Sequence, residues 1–210
     1  MLRKRQNRSH LLDQARQETL TMLDKAHQVF DIAWQILTEN AAGEQIFELD
    51  QDINAGERLV RRLVIEHLTL NPEQDLPSSL TLVSIVHDVE RLGDYAKSIA
   101  ELRDMSDIRL STDGLGQRCL EIQAEIEPMF QLAIDGITED DQEKATDLMA
   151  RHRQIKAKTD EVTADALKGE QSGRADLLAV LVSRYLRRVS AHLSNVVSSI
   201  VNPFDLIAHD

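Results

Sequence analysis

The sequence predicts an all-α protein built as two tandem three-helix bundles. Three observations carry that prediction. Apolar residues recur at alternating spacings of three and four along six long stretches, the period that gives a helix one buried face. Aromatic residues make up only 3% of the 210-residue chain, beside 8 glycines and 4 prolines. Such a composition packs through Leu, Val, Ile and Ala rather than through the faces of a β-sandwich. Finally, three long helical stretches, a break and three more form an internal duplication with a period of about 100 residues, longer than a solenoid repeat.

The first stretch places Leu, Ala, Thr, Met, Ala, Val, Ala and Ile at residues 12, 15, 19, 22, 26, 29, 33 and 36. Ser9 suits its N-cap, and Gly43 of ENAAGE suits its stop. A second helix follows over Glu44 to Leu70 and ends at NPEQDLP, where Pro72 and Pro77 prevent continuation. Ser78 or Ser79 opens a third helix to Arg103, on a seam of Leu82, Ile85, Val86, Val89, Leu92, Ala96, Ile99 and Ala100. Beyond DMSDIRLSTDGLG the plan repeats. The fourth helix covers 115–137, with Pro128 predicting a kink; the fifth covers 141–168 and stops at KGEQSG; the sixth runs from Arg174 to Val201 and stops at NPFD. The expected division is a basic tail over 1–8, a first bundle over 9–106 and a second over 112–203.

The net charge of −12 argues against a general nucleic-acid binder, which needs a basic face for phosphates. It is compatible with cation binding and equally with an acidic solvated surface. Cys119 is the only cysteine, so no intrachain disulfide is possible. No apolar run approaches the roughly 18–20 residues of a transmembrane helix. The start MLRKRQNRSH is basic but lacks the apolar segment of a secretory signal. Its Arg3, Lys4, Arg5 and Arg8 allow at most a peripheral contact with an anionic membrane surface, and a cytoplasmic location is expected.

Carboxylates interrupt the seams of the first bundle. Helix two reads Ile46, Asp50, Ile53, Glu57, Val60, Val64, His67 along its apolar face, with Asn54 on the same side. On helix three, Glu90, Asp94 and Glu101 share a shoulder of the apolar arc with His87. If helices two and three pack antiparallel, Asp50, Glu57, Glu90 and Asp94 converge. Carboxylates sharing a desolvated groove repel one another, and a divalent cation removes that cost. All-oxygen ligation suits Mg²⁺, Ca²⁺ or Mn²⁺, and an added histidine admits iron or zinc. Spacing alone favours a plainer arrangement: Lys97 faces Asp94, Arg58 or Arg61 can neutralise the helix-two acids, and acid-rich helices are usually solvated and salt-bridged.

The segment DLPSSLTLVSIVHDVERLGDYAKSIAEL (75–102) resembles the PhoU family, whose helix signature reads D-L-R, twelve further residues, then E-R-I-G-D. Counted from Asp75, Glu90 falls in register without a gap. ELDQDIN supplies the D-x-x-I-N of the preceding helix through Asp50, Ile53 and Asn54. The resemblance implies tandem three-helix bundles and a non-enzymatic regulator of phosphate uptake and starvation signalling. Such proteins link a phosphate transporter's ATPase to a sensor histidine kinase, and commonly dimerise. It also implies divalent metal, often iron or zinc, at E/D-x-x-x-D motifs, here Glu90-x-x-x-Asp94, with Asp50, Asn54 and Glu57 as neighbouring ligands.

The sequence also departs from the family pattern. Pro77 replaces the arginine of D-L-R. In YLRRVSAHLSNVVSSI, Arg187 replaces the glutamate and Ala191 the aspartate, while His192 and Asn195 keep the family's H-x-x-N. Helix five puts His152 and Lys156 where helix two has Asp50 and Asn54, so no second metal cluster is expected. His152, Lys156, Arg184 and Arg187 instead suggest an anion or phosphate pocket, or cations paired with acids such as Asp160 and Asp147. Two other functions compete: a metal-free helical adaptor, including an accessory protein of a phosphate permease, and a metallohydrolase with His87 as its acid–base group. No nucleophile motif or phosphate-cradling loop supports the latter.

Overall fold

Six α-helices and one 3₁₀ turn account for nearly all of the described residues, which in this computed structural model are 10–39, 43–169, 173–202 and 204–207. The helices are α1 (His10–Glu39), α2 (Glu44–Leu70), α3 (Leu76–Met105), α4 (Gly114–Glu139), α5 (Gln142–Lys168) and α6 (Arg174–Val201), and the turn spans Phe204–Leu206. The basic tail and the Ser9 cap lie outside the described residues.

Local chemistry sets the ends. Gly43 opens α2, its carbonyl accepting from Ile46 N–H at 3.0 Å, rather than closing α1, which ends at Glu39. Helix α3 starts at Leu76, before the expected Ser78 or Ser79. Asp75, at φ 55°, turns the chain through the left-handed region, and Pro77 sits in the first turn, where its missing N–H is not needed. Helix α4 continues unbroken through Pro128 to Glu139, and Asp140, also left-handed at φ 59°, closes it. The Asp141 carboxylate then caps α5, accepting from the N–H groups of Glu143 and Lys144 at 2.9 and 3.1 Å.

Helices α1, α2 and α3 form one bundle, and α4, α5 and α6 the second. The bundles meet along α3 against α6 and α1 against α4, leaving α2 and α5 on the outside. Phe30, Leu92, Ile99, Ile126, Phe130, Leu186 and Leu193 are fully buried in the shared core. Gly93 fulfils a packing role: a Cβ there would lie 2.9 Å from Ile53 Cδ1, so its small size lets α3 approach α2 closely.

The duplication is visible as a pseudo-two-fold axis between the bundles. Phe30 meets Phe130 at 5.3 Å between ring centroids, each being the other's counterpart 100 positions along the chain. On α3 and α6, Asp88 meets His192 and Tyr95 meets Tyr185 at 6.3 Å. Tyr185 and His192 each lie 97 positions after Asp88 and Tyr95, so these two contacts are counterparts. Among the described residues no helix is long and apolar enough to cross a membrane.

Candidate metal centre

Helix α2 carries Glu57 between buried Ile53 and Val60, and α3 carries Glu90 between buried Val89 and Gly93. The packing that closes this interface therefore draws both carboxylates out of bulk water. His87, one turn before Glu90, lies on the rim with half its side chain exposed. Its Nδ1 is 3.4 Å from Glu57 Oε1 and 3.7 Å from Glu90 Oε2. One donor atom from each of the three lies within 4.8 Å of the others.

Glu90 is the strained member. Its Oε2 is buried and receives no hydrogen bond, although Arg91 Nε stands 3.5 Å away. Burial pushes its carboxyl above the usual range; the charges of Asp94 and Glu57 push further, against Arg91 and His87. Such a buried acceptor without a donor carries a desolvation cost. A divalent ion would relieve it, and nitrogen with two carboxylates is a donor set that iron, zinc or manganese accept. Glu57, His87 and Glu90 thus fit a metal.

The remaining expected ligands are arranged otherwise. Asp50 is held by Lys97 at 3.1 Å. Burial works against the Lys97 charge, but the bond and field of Asp50, with Asp94 and Glu101, raise its pKa above the ordinary lysine value. Asp94 accepts from Arg91 Nη1 at 2.9 Å, and Glu57 also accepts an ion pair from Arg61 at 2.8 Å. Asn54 is half-buried on α2. Of the expected set, Glu57 and Glu90 come together and His87 joins them, while Asp50 and Asp94 are drawn to cations.

The corresponding region of the second bundle is organised differently. His152 is buried, and its Nδ1 lies 3.0 Å from Ser190 Oγ. Because the Ser190 hydroxyl donates to the Arg187 carbonyl at 3.0 Å, His152 Nδ1–H is the donor. Arg187 pairs with Asp160, Lys156 and Arg184 are exposed, and Asp147 pairs with Arg151 at 3.0 Å.

Two polar groupings between the bundles were not anticipated from the sequence. Asp88, nearly buried, accepts from His192 Nδ1–H at 2.7 Å and from Asn195 Nδ2–H at 2.8 Å. Its signal was present, since Asp88 stands three residues after Ile85 and four before Leu92 on the apolar seam. The second joins His27 and Asp31 of α1 to Glu127 of α4. Its signal lay in the duplication, which superposes HQVF (27–30) on EPMF (127–130).

The PhoU domain model matches the chain twice, over residues 12–102 and 120–200. The solved structures it resembles include PhoU from Pseudomonas aeruginosa, at TM-score 0.76 and 19% identity, covering 91% of this chain and 95% of that one. They also include the phosphate transport system regulatory protein PhoU from Streptococcus pneumoniae, at TM-score 0.76 and 18% identity over 90% and 93% of the two chains. No curated protein matches the sequence.

Proposed function

The chain belongs to the PhoU family, and from that premise we propose that it is a non-enzymatic regulator of phosphate transport and phosphate-starvation signalling. The double family match, spanning both bundles, is the observation that carries this reading. In the cell it would dock on a phosphate transporter or a sensor kinase through its helical faces, as a homodimer. The outward side of α2 supports docking: Phe47, Ile65 and Leu70 each leave about two thirds of their surface in solvent, more apolar exposure than a solvated helix needs.

Within this reading, Glu57, His87 and Glu90 would hold a divalent metal that ties α2 to α3, with Asp50 and Asp94 nearby once released from Lys97 and Arg91. The ion would neutralise the buried Glu90 oxygen and stiffen the outer helix that carries the docking face. A metal-free adaptor is the second reading, favoured by the cations already seated on Asp50, Glu57 and Asp94.

Deletion of the gene in its own host tests the regulatory role. Phosphate-starvation genes should be expressed in phosphate excess and be silenced again by the wild-type copy; unchanged expression would sink the proposal. Elemental analysis of the purified protein beside Glu57→Ala/Glu90→Ala decides between the readings. Metal content that falls in the double variant supports the metal-bearing regulator, equal non-zero content removes the Glu57/His87/Glu90 centre, and a wild type that carries no metal and takes up none when Fe²⁺, Zn²⁺ or Mn²⁺ is added supports the adaptor.

A further inference from the structure

We propose that His27, Asp31 and Glu127 form a second divalent-cation site, distinct from Glu57/His87/Glu90, in which a first-row transition ion bridges α1 to α4 and ties the two bundles together.

The geometry begins on α1, where His27 and Asp31 are one helical turn apart and present their side chains on one face. Helix α4 brings Glu127 across from them. His27 Nε2 lies 2.5 Å from Glu127 Oε1 and 3.9 Å from Asp31 Oδ1, and one donor atom from each residue falls within 4.8 Å of the others. The imidazole is already oriented: its ring stacks on Phe130 at 4.6 Å with planes 6° apart, which directs Nε2 at the two acids. Glu127 is also steadied, because its Oε2 accepts from Gln123 Nε2 at 3.2 Å. An ion with ligands at about 2.0–2.2 Å holds neighbouring donor atoms roughly 3–3.5 Å apart. The present 2.5 and 3.9 Å bracket that spacing, so adjustments below about 1 Å would suffice.

Charge balance separates this cluster from ordinary surface ion pairs. Burial, together with the Glu127 charge, raises the Asp31 carboxyl to about 6 against the opposing pull of His27. Among the described residues no lysine or arginine is paired with either acid; His27 alone compensates them. The first site, by contrast, is threaded with Arg61 and Arg91. One imidazole nitrogen with two carboxylates favours zinc, iron or manganese over magnesium or calcium. Three protein ligands from two bundles would leave a coordination position for water.

The test uses the full-length protein, stripped of metal by chelation and titrated with Zn²⁺ by calorimetry and with Co²⁺ by visible absorption. Wild type, His27→Gln, Asp31→Asn, Glu127→Gln and Glu90→Gln are compared, with helical circular dichroism and thermal midpoint recorded for each. We expect the wild type to show a binding component that weakens at least about tenfold in His27→Gln and in Asp31→Asn, and that persists in Glu90→Gln. Zn²⁺ should raise the thermal midpoint of the wild type and not that of His27→Gln. Asp31 is nearly half exposed, so Asp31→Asn keeps the test valid if His27→Gln or Glu127→Gln fails to fold. Absence of wild-type binding, or binding unchanged in Asp31→Asn and in every folded variant of the other two ligands, would overturn the site and leave a cluster held by protons alone. Because Glu90→Gln is read separately, titrations that are unchanged in that variant would remove the Glu57/His87/Glu90 centre without touching this one.

Discussion

Asp88 ties the two bundles together through one nearly buried carboxylate. Its carboxylate takes two side-chain donors from the opposite bundle, His192 and Asn195, in a setting where only 8% of the residue is exposed. Replacing it with alanine leaves both donors facing a gap, so the loss includes their desolvation as well as the bonds. We predict that Asp88→Ala lowers unfolding stability by about 2–4 kcal/mol in urea, whereas Asp88→Asn, which keeps an acceptor oxygen, loses less. A change under about 0.5 kcal/mol would assign the triad no structural weight. Cys119 makes a second residue-scale case. Its thiol is buried and donates to the Ala179 carbonyl at 3.2 Å, and burial pushes its pKa up to about 12 from an ordinary 9.0. The folded state therefore holds a proton that the unfolded chain releases above pH about 9. Its contribution is fully present below pH 9 and is lost as pH climbs toward 12, at about 1.4 kcal/mol per unit. The wild type should thus lose roughly 1 kcal/mol more than Cys119→Ala between pH 8 and 10, measured by denaturant unfolding.

At the scale of elements, two glycines separate tight contacts that can adjust from those that cannot. A Cβ at Gly116 would stand 2.3 Å from the Ser111 carbonyl oxygen, a backbone atom in the turn leading into α4. Alanine would gain about 1 kcal/mol of helix propensity but must displace that turn, so Gly116→Ala should destabilise by about 1–3 kcal/mol net. A Cβ at Gly93 meets the terminal methyl of Ile53 at 2.9 Å, which can rotate, and Gly93→Ala should cost less than Gly116→Ala in the same thermal melts. The reverse order would mean that α2 and α3 are locked more firmly than the turn. These contacts also explain what the sequence could convey. Helix number, order and approximate ends follow from local period and breakers, which residues near in sequence determine. The α3 start moved because Asp75 takes a left-handed conformation, and no pattern in NPEQDLP announces that turn. The site was legible only in part for the same reason. Spacing placed Asp50, Glu57, Glu90 and Asp94 on facing surfaces, but Lys97 and Arg91 are long enough to reach back and claim Asp50 and Asp94. Periodicity records the face on which a side chain begins and not where its charged end settles.

Across the whole molecule, the pseudo-two-fold axis raises the question of why one bundle does not simply pair with another copy of itself. Contacts near the axis, such as Phe30 on Phe130, would be nearly preserved in a pairing of two first bundles. The Asp88 contact would not. In such a pair Asp88 would face the counterpart of His192, which is Tyr95, and that of Asn195, which is Ser98. The imidazole and amide donors that fit the carboxylate would be missing, and a nearly buried charge would lose its matched partners. Asp88 therefore favours pairing of unlike halves by penalising the alternative, a means of specificity that apolar packing alone does not supply. This yields a prediction about fragments: residues 10–106 and 113–202, co-expressed as separate chains, should be recovered as a one-to-one complex in preference to either self-pair. Asp88→Ala in the first fragment should weaken that complex while relaxing the penalty on self-pairing, shifting the population toward the 10–106 dimer in native mass spectra. An unchanged distribution would mean that the apolar seams of α1 and α3 choose their partner unaided. The proposed His27/Asp31/Glu127 ion would act in the same direction, because its third ligand comes from α4. In a pair of first bundles, the position of Glu127 would be taken by a second His27, two imidazoles would face two Asp31 carboxylates, and the binding set would differ in kind. Added Zn²⁺ should consequently shift the co-expressed mixture further toward the unlike pair, and should leave the distribution untouched when the first fragment carries His27→Gln.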